Sequence, residues 1–487
     1  MTMREPKLPW APLTALMLLT GCAALPPVAA PAAVPPAAWS APQAQEAAWP
    51  HEGRLSSLVD WWRQFGGPEV AAFVEAAQAA SPSVSSAAAR RSQARAERTA
   101  AGGALVPQLD ASASAQRRSA TPPFPAGEVM QGAVQMSWEL DVFGGQRAQR
   151  DAAQWRLQSA DAAWHEARVS LAADVVMQVL SWRHCQATWG LAERDAQAAT
   201  RSAQLVGRLA QAGLQAPEQA AQAESVAAQA RNRVRAHAQR CESDVRALVQ
   251  MTAWSEAQVR QRLMAMVAAD APSAGSEPNL LARPVRPIGD VPALPAATLA
   301  QRPDVFMAAA AVAAAAADVG AQHAQRFPRV GLSGSIGRLN SRTSGGSLTL
   351  DTWSVGPLSV SVPVFDAGRR SAMVDAARAR YDDAVTQHLA VVRRAVREVE
   401  EALSGLDTTA RQERDARVAL EGARSVLKAV QQRQERGLAS ALQADEALRA
   451  ALGAESAWLD LQLNRLNVWI SLYRAAGGGW VPARSAN

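Results

Sequence analysis

Apolar and polar residues alternate one by one in four short segments of the chain, as they do in β-strands with two different faces. In the clearest segment every second position is apolar: Val134, Met136, Trp138, Leu140 and Val142. Weaker alternation follows Leu109 and Val330, and a fourth segment ends at Val364. The pattern therefore predicts four strands, each with one apolar face.

The fourth segment contains a change of parity. Leu358 and the apolar residues after it occupy even positions, whereas Trp353 and Val355 occupy odd ones. The change coincides with Gly356-Pro357. Because one extra residue in a strand reverses the face that its side chains occupy, the sequence predicts a β-bulge there.

Two much longer segments, 149–212 and 370–436, have helical patterns. The first contains no proline and only two internal glycines. At about 1.5 Å per residue, a helix of this length extends roughly 95 Å. In the second segment, apolar residues repeat at alternating spacings of four and three: Val392, Val396, Val399, Leu403 and Leu406. Such a seam is typical of helices that pack side by side, within one chain or between chains.

The chain also contains an internal duplication. Four landmarks recur in the same order: Pro82 and Pro303, Pro107 and Pro328 (both pairs 221 residues apart), Phe143 and Phe365 (222), and Gly213 and Gly437 (224). Each copy has the same predicted plan, which is a short helix, two strands, a very long helix, a break and another long helix.

The strand pattern alone leaves two interpretations open. It fits lipid-facing barrel strands, and it fits an antiparallel sheet with one solvated face. Four strands cannot close a barrel wide enough to conduct anything. If these strands span a membrane, several chains must contribute to one barrel.

Composition favours long helices over a conventional globule. Hydrophobic residues make up 48% of the chain but aromatic residues only 5%. Much of the hydrophobic fraction is alanine. The net charge of +6 comes from arginines interspersed with acids, so binding to nucleic acid is not predicted. The six histidines are scattered and no catalytic or nucleotide-binding motif is present, so an enzyme is not predicted either.

The N-terminus indicates the compartment. Arg4 and Lys7 precede a short apolar run, and Leu19-Thr20-Gly21-Cys22 closes it. The run is too short to span a bilayer, so we expect a cleaved signal peptide of residues 1–21. Leu-x-Gly-Cys resembles a bacterial lipobox, which implies a lipid on Cys22; an ordinary secretory signal with an incidental cysteine is the alternative. Ala23, where an aspartate would favour retention in the inner membrane, favours sorting to the outer membrane.

Residues 22–60 are expected to form a lipidated, proline- and alanine-rich tether with little that can pack against a folded body. No later stretch contains about 20 uninterrupted apolar residues, so no transmembrane helix is expected. A membrane-spanning role would fall to the strands.

Four motifs together carry a family resemblance. They are Trp61-Trp62-Arg63-Gln64-Phe65-Gly66, Arg302-Pro303-Asp304-Val305, Pro363-Val364-Phe365-Asp366-Ala367-Gly368-Arg369 and Leu472-Tyr473-Arg474-Ala475-Ala476-Gly477-Gly478-Gly479-Trp480. In this order they resemble the TolC-like outer-membrane factor family, in its lipoprotein branch. The resemblance covers almost the whole chain after the tether.

The resemblance implies a mostly α fold with a membrane β-barrel. Three protomers would each give four strands to one twelve-stranded barrel in the outer membrane. Their long antiparallel helical hairpins would form a hollow α-barrel that extends into the periplasm. The first structural repeat would span 61–285 and the second 286–480, with a C-terminal tail at 481–487.

The implied function is that of a passive export duct for small molecules, the outer-membrane channel of a tripartite efflux system of the RND or a related type. Its partners would be two further copies of the chain in a homotrimer, a periplasmic adaptor, an inner-membrane transporter and outer-membrane lipid. No cofactor is implied besides the covalent lipid on Cys22. The alternative is an adaptor or structural periplasmic lipoprotein without a pore, and the four alternating strands argue against it.

The resemblance also implies two kinds of site. Adaptor docking would use the hairpin tips: Gly213, Leu214, Gly437 and Leu438. A periplasmic gate would use residues just after the second tip: Gln443, Asp445 and Glu446. Glu446 stands where the family usually has an aspartate, and a ring of three such carboxylates would attract cations. The alternative is that Glu446 is a solvated acid without a role.

Two cysteines besides Cys22 suggest a covalent link. Cys185 and Cys241 each lie 28 residues from Gly213, so both sit at one height in an antiparallel hairpin that turns there. The periplasm is oxidising, and we therefore predict a Cys185–Cys241 disulfide. The alternative is a metal site that adds His184 and His237 to the two cysteines.

Overall fold

The computed structural model of the protein describes residues 39–40, 67–119, 126–269, 299–343, 346–478 and 480. Several predicted features lie outside these described residues. They are the signal peptide, the lipid-bearing Cys22, most of the tether, the motif at 61–66 and the tail at 481–487.

The described helices and strands follow the predicted plan in both repeats. The first repeat comprises α1 (Gly67–Ala80), α2 (Pro82–Gly103), β1 (Gln108–Arg118), β2 (Gly127–Glu139), α3 (Gly145–Gln211), α4 (Pro217–Thr252) and α5 (Glu256–Ala269). The second comprises α6 (Pro303–Ala324), β3 (Arg329–Thr343), β4 (Gly346–Ser361), α7 (Arg369–Glu435) and α8 (Ala441–Ala475). Helices α2 and α6 have 22 residues each, and α3 and α7 have 67 each. The duplication is confirmed, and α1 and α5 are additions that the sequence pattern did not predict.

The strands form one antiparallel sheet in the order β1-β2-β3-β4. The predicted bulge is confirmed. On β4, Gly356 and Pro357 stand opposite the single residue Ser333, because Leu332 pairs with Leu358 and Gly334 with Val355. The extra residue brings the odd-numbered apolar positions before the bulge and the even-numbered ones after it onto the same face.

The sheet belongs to one of two compact units of the chain. The described residues of this sheet unit fall within Ala89–Asp161 and Phe306–Val391. Its strand-to-helix corners are built alike. The Asp141 carboxylate accepts hydrogen bonds from the backbone N–H groups of Gln146 and Arg147 (2.8 and 3.0 Å), and Asp366 accepts from those of Gly368 and Arg370 (3.1 and 3.2 Å). These carboxylates satisfy free donors at the start of each long helix and complement its dipole.

The other unit, the helical unit, has its described residues within Val34–Ala88, Ala162–Val305 and Val392–Asn487. Its main core joins α1, α3, α4, α5 and α8. Phe73 of α1, Leu248 of α4 and Leu263 of α5 are fully buried there, together with Val176 of α3 and Ile470 of α8. The added helices α1 and α5 thus cover apolar faces of the long helices that would otherwise face water.

One described helix, α6, is long and apolar enough by length and composition alone to cross a membrane, with a mean hydropathy of 1.6. The sequence predicts no such helix, because Asp318 interrupts the apolar run and no stretch of about 20 residues after the tether is free of polar residues. Alanine supplies most of the hydropathy, and alanine equally suits a helix that packs closely on its neighbours.

Candidate functional site

One face of the sheet is apolar and exposed. The strand register places Ala111, Val134, Ile336 and Trp353 side by side across all four strands. Ile336 is 66% exposed and Trp353 is 78% exposed. Contiguous rows of exposed apolar side chains are uncommon on a surface that faces water. We therefore expect this face to contact lipid.

The opposite face of the sheet is polar beside this row, whereas Leu339, Leu348 and Leu350 lie on it nearer the β3–β4 turn. The neighbouring row across the four strands consists of Asp110, Gln135, Ser335 and Ser354, and the hydroxyl groups of the two serines lie 2.9 Å apart in a hydrogen bond. Within the described residues, β1 and β4 pair on one side only. The sheet thus combines one apolar face, one polar face and two open edges.

The two hairpin tips share one backbone geometry. The N–H groups of Gly213 and Leu214 donate to carbonyl oxygens three and five residues earlier, at 3.0 and 2.8 Å, and those of Gly437 and Leu438 do the same at 2.9 and 2.7 Å. The glycines have φ values of +71° and +74°. This is the Schellman end of a helix, which requires the left-handed conformation that glycine adopts without strain.

Each glycine is followed by an exposed leucine. Leu214 is 72% exposed and Leu438 is 66% exposed. The next helix is fixed directly after each tip, by Pro217 at the start of α4 and by a capping box between Ser440 and Gln443 at the start of α8. Each tip therefore presents an apolar side chain on a rigid turn.

The three predicted gate residues have different surroundings. Glu446 is exposed, and Gln443 caps α8 through its backbone and side chain. Asp445 instead binds the preceding repeat. It accepts hydrogen bonds from Arg201 of α3 at 2.7 Å and from the hydroxyl of Ser202 at 3.3 Å.

Further polar pairs join α3 to α8 in antiparallel register. His184 contacts Asp460 at 2.7 Å. Asp195 binds Arg449 at 2.8 Å and also Arg233 of α4 at 2.7 Å. Burial lowers the pKa of His184, although the nearby Asp460 carboxylate opposes this effect. Hydrogen bonds and ion pairs therefore hold the two repeats together from residue 445 to residue 460 of α8.

The structure places Cys185 and Cys241 in a disulfide bond between α3 and α4, with their Cα atoms 5.5 Å apart. Both cysteines are buried. The alternative metal site is not supported, because its two sulfur ligands are used in this bond. No group of three or more metal-ligating side chains occurs in the part of the chain that the structure describes.

The disulfide leads to the first testable prediction. Denatured, non-reduced protein is expected to contain no free thiol from Cys185 or Cys241, and to release two after reduction. Replacement of both cysteines by serine is expected to destabilise the fold by about 2–4 kcal/mol, because the bond closes a loop in the unfolded chain. Quantitation of thiols in denaturant, with Cys22→Ser as the background, gives the count directly. Two reactive thiols before reduction would contradict the prediction.

The motif that opens the second repeat forms a buried ionic cluster, the Arg302 cluster, with α7 and α8. Arg302 is 4% exposed. Its guanidinium donates to both carboxylate oxygens of Asp304 (2.9 and 2.8 Å), to Glu398 of α7 (2.7 Å) and to the carbonyl oxygen of Ala475 at the end of α8 (2.7 Å). Burial alone would raise the pKa of Asp304, but the hydrogen bonds and charge of Arg302 outweigh it and lower that pKa.

The C-terminal motif packs against the same place. Gly477 has a φ of +92°, and a side chain there would overlap the carbonyl oxygen of Gln301. Tyr473 donates its hydroxyl to the carbonyl oxygen of Gly478 at 2.7 Å, and burial raises the pKa of that hydroxyl. The motif that begins at Arg302 and the C-terminal motif that begins at Leu472, both part of the family resemblance, are therefore structural partners of each other.

The tether prediction needs a correction. Residues 22–60 were expected to offer little for packing, yet Trp39 is only 8% exposed and belongs to a cluster of α7 and α8 residues. The backbone N–H of Ser40 donates to Glu400 at 2.6 Å. One large aromatic side chain can bury enough apolar surface to fix a segment whose neighbours are proline and alanine. No feature of the sequence distinguished Trp39 from Trp49 of the same segment.

Comparison with known proteins gives a consistent result. The sequence profile of the outer membrane efflux protein family matches residues 73–253 and 294–478. The chain is 28% identical to the outer membrane protein OprJ of Pseudomonas aeruginosa over 495 residues, which cover 99% of this chain and 98% of OprJ. It is also 28% identical to the toluene efflux pump outer membrane protein TtgI of Pseudomonas putida, over 96% of this chain and 98% of TtgI.

Solved structures show the same fold. The outer-membrane channel OprN superposes with a TM-score of 0.76 and 26% sequence identity, covering 94% of this chain and 100% of OprN. By name, TtgI is the outer membrane protein of an efflux pump and OprN is an outer-membrane channel.

Proposed function

The chain belongs to the outer membrane efflux protein family, and from this premise we propose that three lipid-anchored copies assemble into one export duct. The protein is an outer membrane channel component of an efflux system, as its relatives are. The alternative of a structural or adaptor lipoprotein without a pore is therefore set aside. The proposal concerns how many chains form the duct, how it is anchored, where it docks and how it closes.

The sheet carries the proposal of three copies. Four strands with two open edges cannot enclose a conducting pore. Twelve strands from three copies would pair β4 of one chain with β1 of the next and leave no edge. The apolar face would then meet lipid and the polar face would line water.

The apolar face also has the extent that a membrane requires. Exposed apolar residues line β4 and the segment directly after it, from Trp353 to Val364. At about 3.3 Å per residue and a tilt of about 40°, this stretch rises about 28 Å, which is close to the apolar band of about 25 Å in an outer-membrane barrel. At its outer end, Arg338 and Asp351 form an ion pair at 2.5 Å on the same face.

The oligomer is the part of the proposal to test first. Detergent-extracted protein is expected to have a mass close to three times that of one chain after correction for bound detergent. Light scattering combined with size exclusion measures this mass. A well-folded, helix-rich species with the mass of one chain would contradict the proposal.

The protein is located in the outer membrane with its relatives, and we assign its anchor to a lipid on Cys22. That residue lies outside the described part of the chain, and the lipobox sequence supports the assignment. The inner-membrane transporter of a tripartite system would supply the transport energy, and a periplasmic adaptor would join it to the duct.

The exposed leucines at the tips support adaptor docking there. Replacement of Leu214 and Leu438 by aspartate is expected to weaken adaptor binding at least tenfold, because two charged side chains would replace the apolar contacts. Met264→Asp on α5 is the matched control, since Met264 is 53% exposed but distant in sequence from both tips. Surface plasmon resonance with the cognate adaptor gives the affinities. Equal weakening by all three substitutions would contradict tip docking.

The contact between Asp445 and Arg201 supports a gate at the start of α8. If α8 moves when the duct opens, this contact between repeats must break. Asp445→Asn should then raise the ratio of open to closed channels about fivefold or more, since a charge-assisted hydrogen bond with one partly exposed partner contributes about 1 kcal/mol. Bilayer recordings of open probability measure the ratio.

Two controls sharpen the gate prediction. Asp407→Asn removes an ion pair with Arg411 that lies within α7 alone, and it is expected to leave gating unchanged. Exchange of the partners in an Arg201→Asp, Asp445→Arg double variant is expected to restore closure. Unchanged gating in Asp445→Asn, or a raised open probability that the exchange fails to lower, would exclude this contact from the gate.

A further inference from the structure

Two residues of the N-terminal tether contact the helical unit. Trp39 lies among apolar side chains of α7 and α8: Val399, Ala402, Leu403, Leu406, Leu472 and Ala475. Its neighbour Ser40 is held through the backbone, because its N–H donates to the carboxylate of Glu400 at 2.6 Å. A buried indole and an adjacent charge-assisted backbone bond fix both the position and the direction of the chain at this point.

The contact lies beside the Arg302 cluster, which joins the start of the second repeat to α7 and α8. Ala475, which belongs to the Trp39 cluster, also offers its carbonyl oxygen to Arg302. Glu398, two residues before Glu400, accepts from the same arginine. Trp39 therefore covers apolar side chains next to the Arg302 cluster.

We propose that Trp39 and Ser40 dock the N-terminal tether onto α7 and α8. Docking thereby shortens the leash, by which we mean the length of chain between the lipid anchor at Cys22 and the first contact with the folded helices. The inference about the leash rests on the proposed lipid at Cys22. Trp39 follows Cys22 by 17 residues, whereas Gly67, the start of α1, follows it by 45.

The docking changes how far the body can move from the membrane. A chain of 17 residues reaches at most about 60 Å, and one of 45 residues reaches about 155 Å. The local concentration of the body at the membrane scales with about the −3/2 power of the linker length, so docking raises it about fourfold. Docking at Trp39 thus keeps the end of α8 within about 60 Å of the bilayer while the duct assembles.

A cysteine pair tests the docking in the full-length protein. Ser40→Cys combined with Glu400→Cys is expected to form an intrachain disulfide under mild oxidation. Ser40→Cys combined with Asp407→Cys is the matched control, because residue 407 lies two helical turns, or about 10 Å, further along the same side of α7. We expect at least a tenfold higher yield at position 400, measured by non-reducing electrophoresis and mass spectrometry of the linked peptide.

Variants of the tryptophan show whether it causes the docking. Trp39→Ala is expected to lower the yield at position 400 at least tenfold, and Trp39→Phe to preserve most of it. Trp155→Ala, at a tryptophan that is 38% exposed in α3, is expected to leave the yield unchanged. Equal yields at positions 400 and 407, disulfide-linked dimers as the main product, or an unchanged yield in Trp39→Ala would each overturn the docking.

The leash has a separate test. Trp39→Ala is expected to slow the appearance of heat-resistant oligomer about fourfold in the lipidated protein, and to have no such effect in a Cys22→Ser background. A purely structural role for Trp39 would slow assembly equally in both backgrounds, and that outcome would overturn the leash. Absence of labelled fatty acid from the wild-type protein would also overturn it, while the cysteine pair would still report on docking. If the protein forms the disulfide at position 400 but conducts no ions, the proposed export duct would be contradicted and the docking would not.

Discussion

Gly477→Ala is expected to destabilise the helical unit by at least about 3 kcal/mol, one of the two largest effects that the structure predicts for a single substitution. The residue has a φ of +92°, where an L side chain is strained. A Cβ atom there would also overlap the carbonyl oxygen of Gln301, which is backbone and cannot rotate away. The segment after α8 would therefore have to leave the residues that precede α6.

The matched control is a glycine with free space around it. Gly190 lies in the middle of α3, and a Cβ atom there would meet nothing within 4 Å. Gly190→Ala is expected to stabilise the protein by up to about 1 kcal/mol, because alanine favours the helix. Urea denaturation of detergent-solubilised protein, followed by the helical circular dichroism signal, measures both variants. Similar midpoints for the two variants would show that the C-terminal contact does not matter for stability.

Arg302→Met is expected to cost about 3–5 kcal/mol, the second large effect. Removal of one member of a buried ionic cluster leaves the others desolvated and unpaired. Here Asp304, Glu398 and the carbonyl oxygen of Ala475 would each lose the hydrogen bonds from Arg302. Arg394 would remain within 4 Å of the two carboxylates, at 3.7 and 3.8 Å, but it makes no hydrogen bond to either that replaces those of Arg302. Arg397→Ala is the control. Among the residues that the structure describes, Arg397 forms an ion pair with Glu401 alone, one turn away on an exposed surface of α7, where such a pair contributes about 0.5 kcal/mol or less.

The effect of Arg302→Met should depend on pH in a defined direction. In the wild-type protein the pKa of Asp304 is lowered. Its contribution to stability is therefore present above the pKa of the unfolded carboxyl group, near 4, and is lost as the pH falls through the lower folded value. The difference between wild type and variant is expected to be largest at neutral pH and to shrink below about pH 4. A difference that grows on acidification would contradict this assignment of the cluster.

Much of the fold follows from local pattern. Uniform helical rise makes the two long helices equal in length wherever the sequence repeats, and α3 and α7 have 67 residues each. The same uniformity explains why two cysteines at equal distances from Gly213 meet across the hairpin. A parity change at Gly356-Pro357 indicates a bulge because the side-chain period of a strand is two.

Contacts between residues distant in sequence could not be predicted in this way. Arg302 binds a carbonyl oxygen 173 residues away, and Asp445 binds an arginine 244 residues away. Neither pairing leaves a periodic signal, because each depends on how whole helices pack. Trp39 was missed for a related reason, since its partners lie on α7 and α8 and its own segment has the composition of a linker.

The central claim is that three chains, each with four strands and two helical hairpins, enclose one conducting duct. The most direct test is the single-channel conductance, in a planar bilayer, of the purified species that contains three chains. We expect discrete current steps of uniform size from this species. A folded three-chain species that passes no current, or steps that arise only from single chains, would contradict the claim.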